Sequence, residues 1–275
     1  MSLMQKEGND IDINLDGITV CYDDIGTGII PIIFIHGFPF DKSSWQPQIE
    51  FLKKTQRVIA YDIRGFGKSS AGGVKTSISL FADDLIKLMD ALQINKAVVC
   101  GLSMGGYILL NAVTHYPERF KAIILSDTQC IADSDEAKKK RYKTIDQIKA
   151  GGLNDFAEAF IKNIFCQESL NNNTGLIQKI KNIILSTLPE TITGTLSALA
   201  QRPEMCSSLN EISMPALILC GKEDIITPLA QAESLHSSIP DSELYSIDKA
   251  GHMSNIEQPD RFNLHLAVFI SGLVK

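Results

Sequence analysis

A glycine–serine–glycine turn between a short strand-like run and a helical pattern constrains the fold of this chain more than any other feature. Residues 97–100 have strand character, residues 104–110 have apolar side chains at helical spacing, and Gly101-x-Ser103-x-Gly105 lies between them. In this context the pattern is typical of a tight turn that lifts a serine hydroxyl above a sheet. The glycines leave room for the flanking backbone, and the helix N-terminus favours negative charge beside the hydroxyl. The sequence therefore predicts a nucleophile at Ser103, in a strained backbone conformation.

Strands and helices alternate along most of the chain. A hairpin is predicted where alternating apolar residues flank Asp16-Gly17. Continuous apolar runs, typical of strands buried on both faces of a sheet, occur at residues 31–35, 57–61, 97–100, 122–125 and 215–220. Helices are predicted at residues 78–92, 228–237 and 259–273, and a short strand at 243–247. This order predicts an α/β fold with a mostly parallel sheet and helices on both faces.

Residues 128–210 differ from the rest of the chain because strand-like runs are missing from them. Helical patterns occur there instead, at residues 132–148, 154–165, 175–188 and 189–200. We predict a core domain formed by residues 1–127 and 211–275, with a mostly helical segment over residues 128–210, called the helical insertion below. Because ligands bind at the carboxyl ends of parallel strands, residues that directly follow strands are expected to meet at one edge of the sheet.

The charge and the cysteine pattern argue against several classes of protein. The 275 residues carry a formal net charge of −6, which disfavours a nucleic-acid partner or an anionic membrane surface. No apolar run is long enough to cross a bilayer, and no signal-peptide pattern is found. The six cysteines have no CxxC spacing and are expected to be reduced, which predicts a cytoplasmic protein. The sequence leaves the oligomeric state open.

A serine hydroxyl needs a general base, and five histidines are candidates. His252 lies on a glycine-containing loop after the last predicted strand, and it follows Ser103 and an aspartate in chain order. We predict that His252 is the base. Structural or surface positions are expected for the others: His36, which should hold the loop after the 31–35 strand, His115 near a helix C-terminus, and His236 and His265 on helices.

The base in turn needs an acid that accepts its Nδ1–H and fixes its tautomer. Asp224 follows the 215–220 strand and is the predicted acid. Two alternatives remain open. Glu223 is adjacent, although its register is expected to point it elsewhere, and Asp127 follows the preceding strand and could reach the same histidine. Thr227, rather than Asp224, is expected to cap the helix that follows.

Negative charge that develops on a carbonyl oxygen is stabilised by fixed N–H donors. By position, these are the backbone N–H of Met104, directly after the serine, and that of Phe38, in the loop after the 31–35 strand. Pro39 stiffens this loop and has no N–H of its own. The predicted oxyanion hole therefore consists of backbone groups only.

Five motifs in this order resemble those of the α/β-hydrolase superfamily. They are His36-Gly37-Phe38-Pro39, Asp62-Ile63-Arg64-Gly65-Phe66-Gly67-Lys68-Ser69, Gly101-Leu102-Ser103-Met104-Gly105-Gly106, Gly221-Lys222-Glu223-Asp224 and Gly251-His252-Met253-Ser254-Asn255-Ile256-Glu257-Gln258-Pro259. The chain is most similar to the group that holds small carboxylesterases, 3-oxoadipate enol-lactonases and cofactor-free haloperoxidase-like hydrolases. The resemblance covers the chain from about Ile18 to its end, except the helical insertion. It implies an α/β-hydrolase fold in which the insertion forms a cap that sets the substrate.

The chain differs from three related groups of the superfamily at positions that affect the chemistry. Haloalkane dehalogenases and epoxide hydrolases carry aspartate where this chain has Ser103, and C–C bond hydrolases usually have a longer glycine-rich loop after the His36 position. Arg64 is expected to pair locally near Asp62. Arg202, near the end of the helical insertion, is expected to lie on the surface or to anchor that segment, with binding of a substrate carboxylate as the alternative.

The predicted function is hydrolysis of a small carboxylic ester or lactone by acyl transfer to water. Ser103 attacks the carbonyl, His252 moves the proton, and the N–H groups of Phe38 and Met104 hold the oxyanion. No metal or organic cofactor is expected, and the expected partner is a small-molecule ester or lactone. The alternatives are a C–C bond hydrolase or a haloperoxidase/perhydrolase-like enzyme with the same triad, or a hydrolase-fold receptor for a small molecule.

Overall fold

An eight-stranded sheet forms the centre of the computed structural model, which describes residues 7–73 and 75–273. The strands are β1 (Gly8–Leu15), β2 (Ile18–Ile25), β3 (Ile32–Ile35), β4 (Val58–Tyr61), β5 (Ala97–Leu102), β6 (Phe120–Ser126), β7 (Ala216–Gly221) and β8 (Ser242–Ile247). Across the sheet they are ordered β1-β2-β4-β3-β5-β6-β7-β8. The pairs β1–β2 and β2–β4 are antiparallel, and the remaining pairs are parallel. The predicted hairpin and the mostly parallel sheet are confirmed.

Helices cover the sheet. They are α1 (Gln46–Leu52), α2 (Ile78–Ala91), α3 (Met104–His115), α4 (Asp135–Lys149), α5 (Leu153–Ile164), α6 (Gln167–Asn172), α7 (Thr174–Ser186), α8 (Pro189–Ala200), α9 (Leu229–Ser238), α10 (Ser254–Glu257) and α11 (Pro259–Gly272). Short 3-10 helices span Lys42–Trp45, Pro117–Arg119 and Cys206–Glu211. Within the described ranges no single helix is long and apolar enough to cross a membrane, and α7 with α8 meets that test only as a pair bent by 94°.

The central strands are buried on both faces because successive side chains of a strand point to opposite sides of the sheet. In β3, Ile33 and Ile35 belong to the apolar cluster on one face, while Ile32 and Phe34 belong to the cluster on the other. Each strand therefore supplies two cores at once, which explains why its sequence is continuously apolar rather than alternating.

Five helices, α4 to α8, lie between β6 and β7, and no strand interrupts them. Residues 128–210 are thus helical as predicted, while their division from the core as a separate domain stays a prediction. Three helices were not predicted from the sequence: α1, α6 and α10. Each has at most seven residues, which is too short for helical periodicity to stand out.

The prediction that all cysteines are reduced is wrong for one pair. Cys130 and Cys206 form a disulfide across 76 positions of sequence. Their spacing gives no signal, because the fold brings them together: Cys130 lies where the chain leaves β6, and Cys206 lies where it returns towards β7. The disulfide therefore joins the two ends of the helical insertion. The cytoplasmic location, which was inferred from reduced cysteines, stays a prediction.

Opening this disulfide is expected to destabilise the protein. A bridge that closes a loop of this length typically contributes about 2–4 kcal/mol by restricting the unfolded chain. We expect a reducing agent to lower the melting temperature of the wild type to that of the double variant Cys130→Ser/Cys206→Ser, which should not respond to the reductant. An unchanged melting temperature in wild-type protein whose two thiols are shown to be free would contradict this.

Candidate active site

Ser103 lies in the turn between β5 and α3, in a conformation that residues other than glycine rarely adopt. Its φ is 52° and its ψ is −112°, and such strain costs on the order of 1–3 kcal/mol. The Ser103 N–H donates to the Ser126 carbonyl at 2.9 Å, and the Ser103 carbonyl accepts from Thr128 Oγ1 at 2.8 Å. These bonds hold the turn through its backbone and leave the hydroxyl for another partner. The strained serine has the geometry that its motif predicts.

Both glycines of this turn are required by close backbone contacts. A Cβ on Gly101 would lie 2.3 Å from the Gly105 carbonyl oxygen, and a Cβ on Gly105 would lie 2.4 Å from the Ile35 carbonyl oxygen. These separations are far below van der Waals contact, so neither position accepts a side chain. The second contact also brings the start of α3 against the end of β3, where the loop that contains Phe38 begins.

A hydrogen-bonded chain joins Ser103, His252 and Asp224. Ser103 Oγ lies 2.8 Å from His252 Nε2, and His252 Nδ1 lies 2.8 Å from Asp224 Oδ2. Because a carboxylate only accepts hydrogen bonds, Nδ1 carries the imidazole proton, and Nε2 is left to accept from the serine hydroxyl. The three residues are 9 %, 2 % and 4 % exposed in that order, so water barely reaches the chain.

The loop after β7 fixes the Asp224 carboxylate from two sides. Its Oδ1 accepts from the N–H groups of Ile226 at 2.8 Å and Thr227 at 3.0 Å, and its Oδ2 accepts from Thr227 Oγ1 at 2.7 Å. The expectation that Thr227 caps the next helix is wrong: α9 begins after Pro228, and the threonine hydroxyl is used on Asp224. Glu223 is exposed, as its register predicted.

Asp127, the alternative acid, accepts hydrogen bonds from residues other than His252. Its Oδ1 accepts from the Gly221 N–H at 2.8 Å, and its Oδ2 accepts from Ser126 Oγ at 2.8 Å and Ser254 Oγ at 2.5 Å. Asp127 therefore ties the end of β7, which leads to Asp224, to the residue two positions after His252. This bracing role was not predicted from the sequence, although Ser254 lies within one of the motifs.

Asp224 and two neighbouring buried residues, Asp127 and Cys220, form a group of side chains of metal-ligand type. Ligand atoms of Asp127, Cys220 and Asp224 are all within 4.8 Å of one another. Asp224 is engaged by His252 and Thr227, and Asp127 by three donors. These bonds account for both carboxylates without an ion. The absence of a metal or organic cofactor stays a prediction.

The two predicted oxyanion donors have no acceptor within the part of the chain that the structure describes. Neither the Phe38 N–H nor the Met104 N–H donates to a backbone or side-chain group there. Their positions correspond, because Ile35 on β3 pairs with Gly101 on β5, and each donor lies three residues further along. Both N–H groups are thus available at the same edge of the sheet.

The loop between β3 and Lys42, which contains Phe38 and is called the oxyanion loop below, contacts an aromatic cluster. The Phe38 ring centroid is 6.3 Å from that of Phe156 and 6.1 Å from that of Phe160, and these two phenylalanines lie one turn apart on α5. The helical insertion therefore contacts the loop that contains the predicted oxyanion donor Phe38. The i, i+4 spacing of the two phenylalanines could have marked this face of α5 in the sequence.

Opposing effects set the pKa values of the buried histidine and the two buried aspartates of the candidate site. Burial lowers the pKa of His252, but the negative charge of Asp224 and their hydrogen bond outweigh it, so this pKa lies above its ordinary value of 6.5. Burial raises the pKa of Asp224, yet the contact with His252 keeps it below the ordinary range. Burial, together with the charge of Asp224, raises the pKa of Asp127 to about 7.

The raised pKa of His252 predicts a pH profile. The imidazole must be neutral to accept the serine proton, so kcat/KM is expected to fall as the pH drops through this pKa. The midpoint of the acidic limb should therefore lie above pH 6.5. Because the charge of Asp127 also raises the pKa of His252, Asp127→Asn should move the midpoint to lower pH. A wild-type midpoint well below 6.5, measured between pH 5 and 9, would contradict this assignment.

His36 has the structural role that the sequence predicted. Its Nε2 accepts from the Ile63 N–H at 3.0 Å, so its Nδ1 carries the proton and donates to the Gly37 carbonyl at 2.8 Å. It thereby holds the oxyanion loop against the loop after β4. The expected partner of Arg64 is wrong: the guanidinium forms two hydrogen bonds with Asp84 on α2, at 2.7 and 2.6 Å, instead of pairing near Asp62.

Arg202 anchors the end of the helical insertion. Its Nη1 donates to Asp133 at 2.6 Å, its Nη2 donates to the Ile131 carbonyl at 3.0 Å, and its guanidinium lies 4.4 Å from the Tyr107 ring centroid. The residue is 5 % exposed. These contacts favour the anchoring role over binding of a substrate carboxylate.

Comparisons with known proteins identify relatives of this chain. A family model described as alpha/beta hydrolase fold matches residues 30–259. 3-Oxoadipate enol-lactonase 2 of Acinetobacter baylyi is 31% identical over 232 residues, which are 84% of this chain and 85% of that protein. A thermophilic esterase from Thermogutta terrifontis, solved with malate bound, has a TM-score of 0.91 and 34% identity, covering 96% of this chain and 98% of its own. The enol-lactonase from Burkholderia xenovorans LB400 has a TM-score of 0.88 and 26% identity, covering 95% of this chain and 100% of its own.

Proposed function

The chain belongs to the α/β-hydrolase family, and from this premise we propose that it is a serine hydrolase that cleaves small carboxylic esters or lactones through an acyl-enzyme. The observation that carries the proposal is the pair of 2.8 Å contacts that join Ser103 to His252 and His252 to Asp224. The esterase and enol-lactonase relatives support the class of substrate.

Each step of the proposed mechanism uses a group in this site. The Ser103 hydroxyl attacks the carbonyl carbon while its proton moves to His252 Nε2, and Asp224 stabilises the imidazolium that forms. The oxygen that becomes negative is held by the N–H groups of Phe38 and Met104. His252 then returns the proton to the leaving alcohol, and water repeats the sequence on the acyl-serine. In a lactone, the leaving alcohol stays attached to the acyl group.

The surroundings of the oxyanion loop favour an apolar substrate of limited size. Phe38, Phe156 and Phe160 place three aromatic rings beside one oxyanion donor. The cations Arg64 and Arg202 are engaged by Asp84 and Asp133 and are not free to bind a substrate carboxylate. We therefore propose short, uncharged acyl groups, with long chains excluded by the aromatic rings.

A substrate series tests the proposed function. We expect the wild type to hydrolyse p-nitrophenyl acetate and butyrate faster than the octanoate, and to open simple γ-lactones. Turnover no higher than that of Ser103→Ala on every ester and lactone would overturn the proposal. The C–C bond hydrolase, haloperoxidase-like and receptor alternatives would then be tested with a vinylogous diketone, with peracid formation and with ligand-dependent partner binding.

A further inference from the structure

The loop that carries His252 is bonded directly to the helical insertion. The His252 N–H donates to the carbonyl of Ile164, the last residue of α5, at 2.8 Å. Glu257 on α10 adds a bridge: its Oε1 accepts from the Gly251 N–H at 2.7 Å, and its Oε2 accepts from the Cys166 N–H at 2.9 Å. One carboxylate thus joins the residue before the histidine to the segment just after α5.

Gly251 allows the two segments to touch. A Cβ at this position would lie 2.8 Å from the Cys166 nitrogen and 2.9 Å from the Ile164 carbonyl oxygen. No side chain fits in that space, so the His252 loop and residues 164–166 are in backbone-to-backbone contact. Glu257 forms no salt bridge within the described ranges of the chain, and both of its oxygens are used on these backbone N–H groups.

We propose that Glu257 is a positioning residue that ties the His252 loop to the end of α5, so that the helical insertion sets where the imidazole lies. This inference rests on the proposed function, in which His252 is the base. The same helix α5 also contacts the oxyanion loop, because its Phe156 and Phe160 lie against Phe38. The helix α5 therefore makes two contacts. Its side chains touch the oxyanion loop, and the carbonyl at its C-terminus accepts from the loop that carries His252.

The charge of Glu257 acts on the pKa of His252, which a purely structural residue would not change. Three carboxylates act on the His252 imidazole: Asp224 from the loop after β7, Asp127 from the end of β6, and Glu257 from α10, and each raises its pKa. Replacing Glu257 with glutamine removes one negative charge. It also puts an NH2 group opposite one of the two backbone donors, which leaves that donor unpaired.

The test compares Glu257→Gln with Glu257→Asp and with the control Glu168→Gln, an exposed glutamate of α6 that pairs with Lys249. For p-nitrophenyl butyrate we expect Glu257→Gln to lower kcat by about 10-fold to 100-fold with little change in KM, because a misplaced base slows the chemical step. Its acidic limb should move to lower pH. Glu257→Asp keeps the charge but shortens the reach, so it should lower kcat without moving the limb. Glu168→Gln should change neither.

An NMR titration of the His252 imidazole measures the same effect without turnover. The midpoint is expected at lower pH in Glu257→Gln than in the wild type, with Glu257→Asp unchanged. An active wild type together with an unchanged kcat and an unchanged His252 titration in Glu257→Gln would overturn this inference alone. A wild type without ester or lactone turnover would contradict the proposed function, and the NMR titration would still decide whether Glu257 acts on His252.

Discussion

Ser103→Ala is expected to lower the turnover of p-nitrophenyl butyrate by about 10³-fold or more, because the residue that forms the acyl-enzyme is lost. The fold should be unaffected. Alanine at this turn carries the same positive φ as serine, and the bonds that hold the turn come from backbone groups of residue 103. We therefore expect a melting temperature close to that of the wild type, so that the loss of activity reflects chemistry. Initial rates with matched amounts of protein measure the effect.

The matched control is Ser237→Ala, which removes an exposed hydroxyl near the end of α9 that donates to the Ser234 carbonyl. It should retain wild-type kinetics. Activity of Ser103→Ala within about 10-fold of the wild type would show that Ser103 is not the required nucleophile, and an acyl-enzyme on Ser103 would be excluded.

Asp224→Asn is expected to lower kcat by about 10⁴-fold, since an amide NH2 facing Nδ1 stabilises the wrong imidazole tautomer. The same change at Asp127 should lower kcat much less, by about 10-fold to 100-fold. It leaves one of the donors to residue 127 unpaired but removes no hydrogen bond to the imidazole. The two variants are nearly isosteric with the wild type, and both sites are buried. Steady-state kinetics of the two proteins at the pH optimum separate the two candidate acids.

The ranking of these two variants is the decisive outcome. If Asp127→Asn were the more damaging change, the acid would follow β6 rather than β7, and the 2.8 Å contact between His252 and Asp224 would not describe the working enzyme. Melting curves of both variants serve as the control for folding. A comparable loss of stability in both would leave the kinetic comparison intact.

The sequence could predict the features that depend on residues close to one another along the chain. The turn at Ser103 needs small residues on both sides, and the strand before it and the helix after it have their own periodicities. Because parallel strands place their carboxyl ends at one edge, the sequence predicted that Ser103, Asp224 and His252 meet there, although Asp127 and Glu223 remained alternatives to Asp224. The structural role of His36 followed in the same way, from its position directly after β3.

The features that sequence could not predict depend on which loops meet. Cys130 and Cys206 approach each other only because the helical insertion leaves and re-enters the core at one place. Arg64 reaches Asp84 because α2 packs beside the loop after β4, a contact that no spacing encodes. The backbone donors that Glu257 accepts from lie six and 91 positions away. Its role therefore depends on how the His252 loop meets the insertion.

Labelling with diethyl p-nitrophenyl phosphate tests the central claim most directly. An activated serine attacks the phosphorus atom and keeps a stable diethylphosphoryl group, so peptide mapping by mass spectrometry identifies the nucleophile. The account predicts one group per chain, on Ser103, with p-nitrophenol released in equal amount, and no labelling of Ser103→Ala. An ester-hydrolysing wild type that stays unlabelled, or that carries the group on another residue, would contradict it.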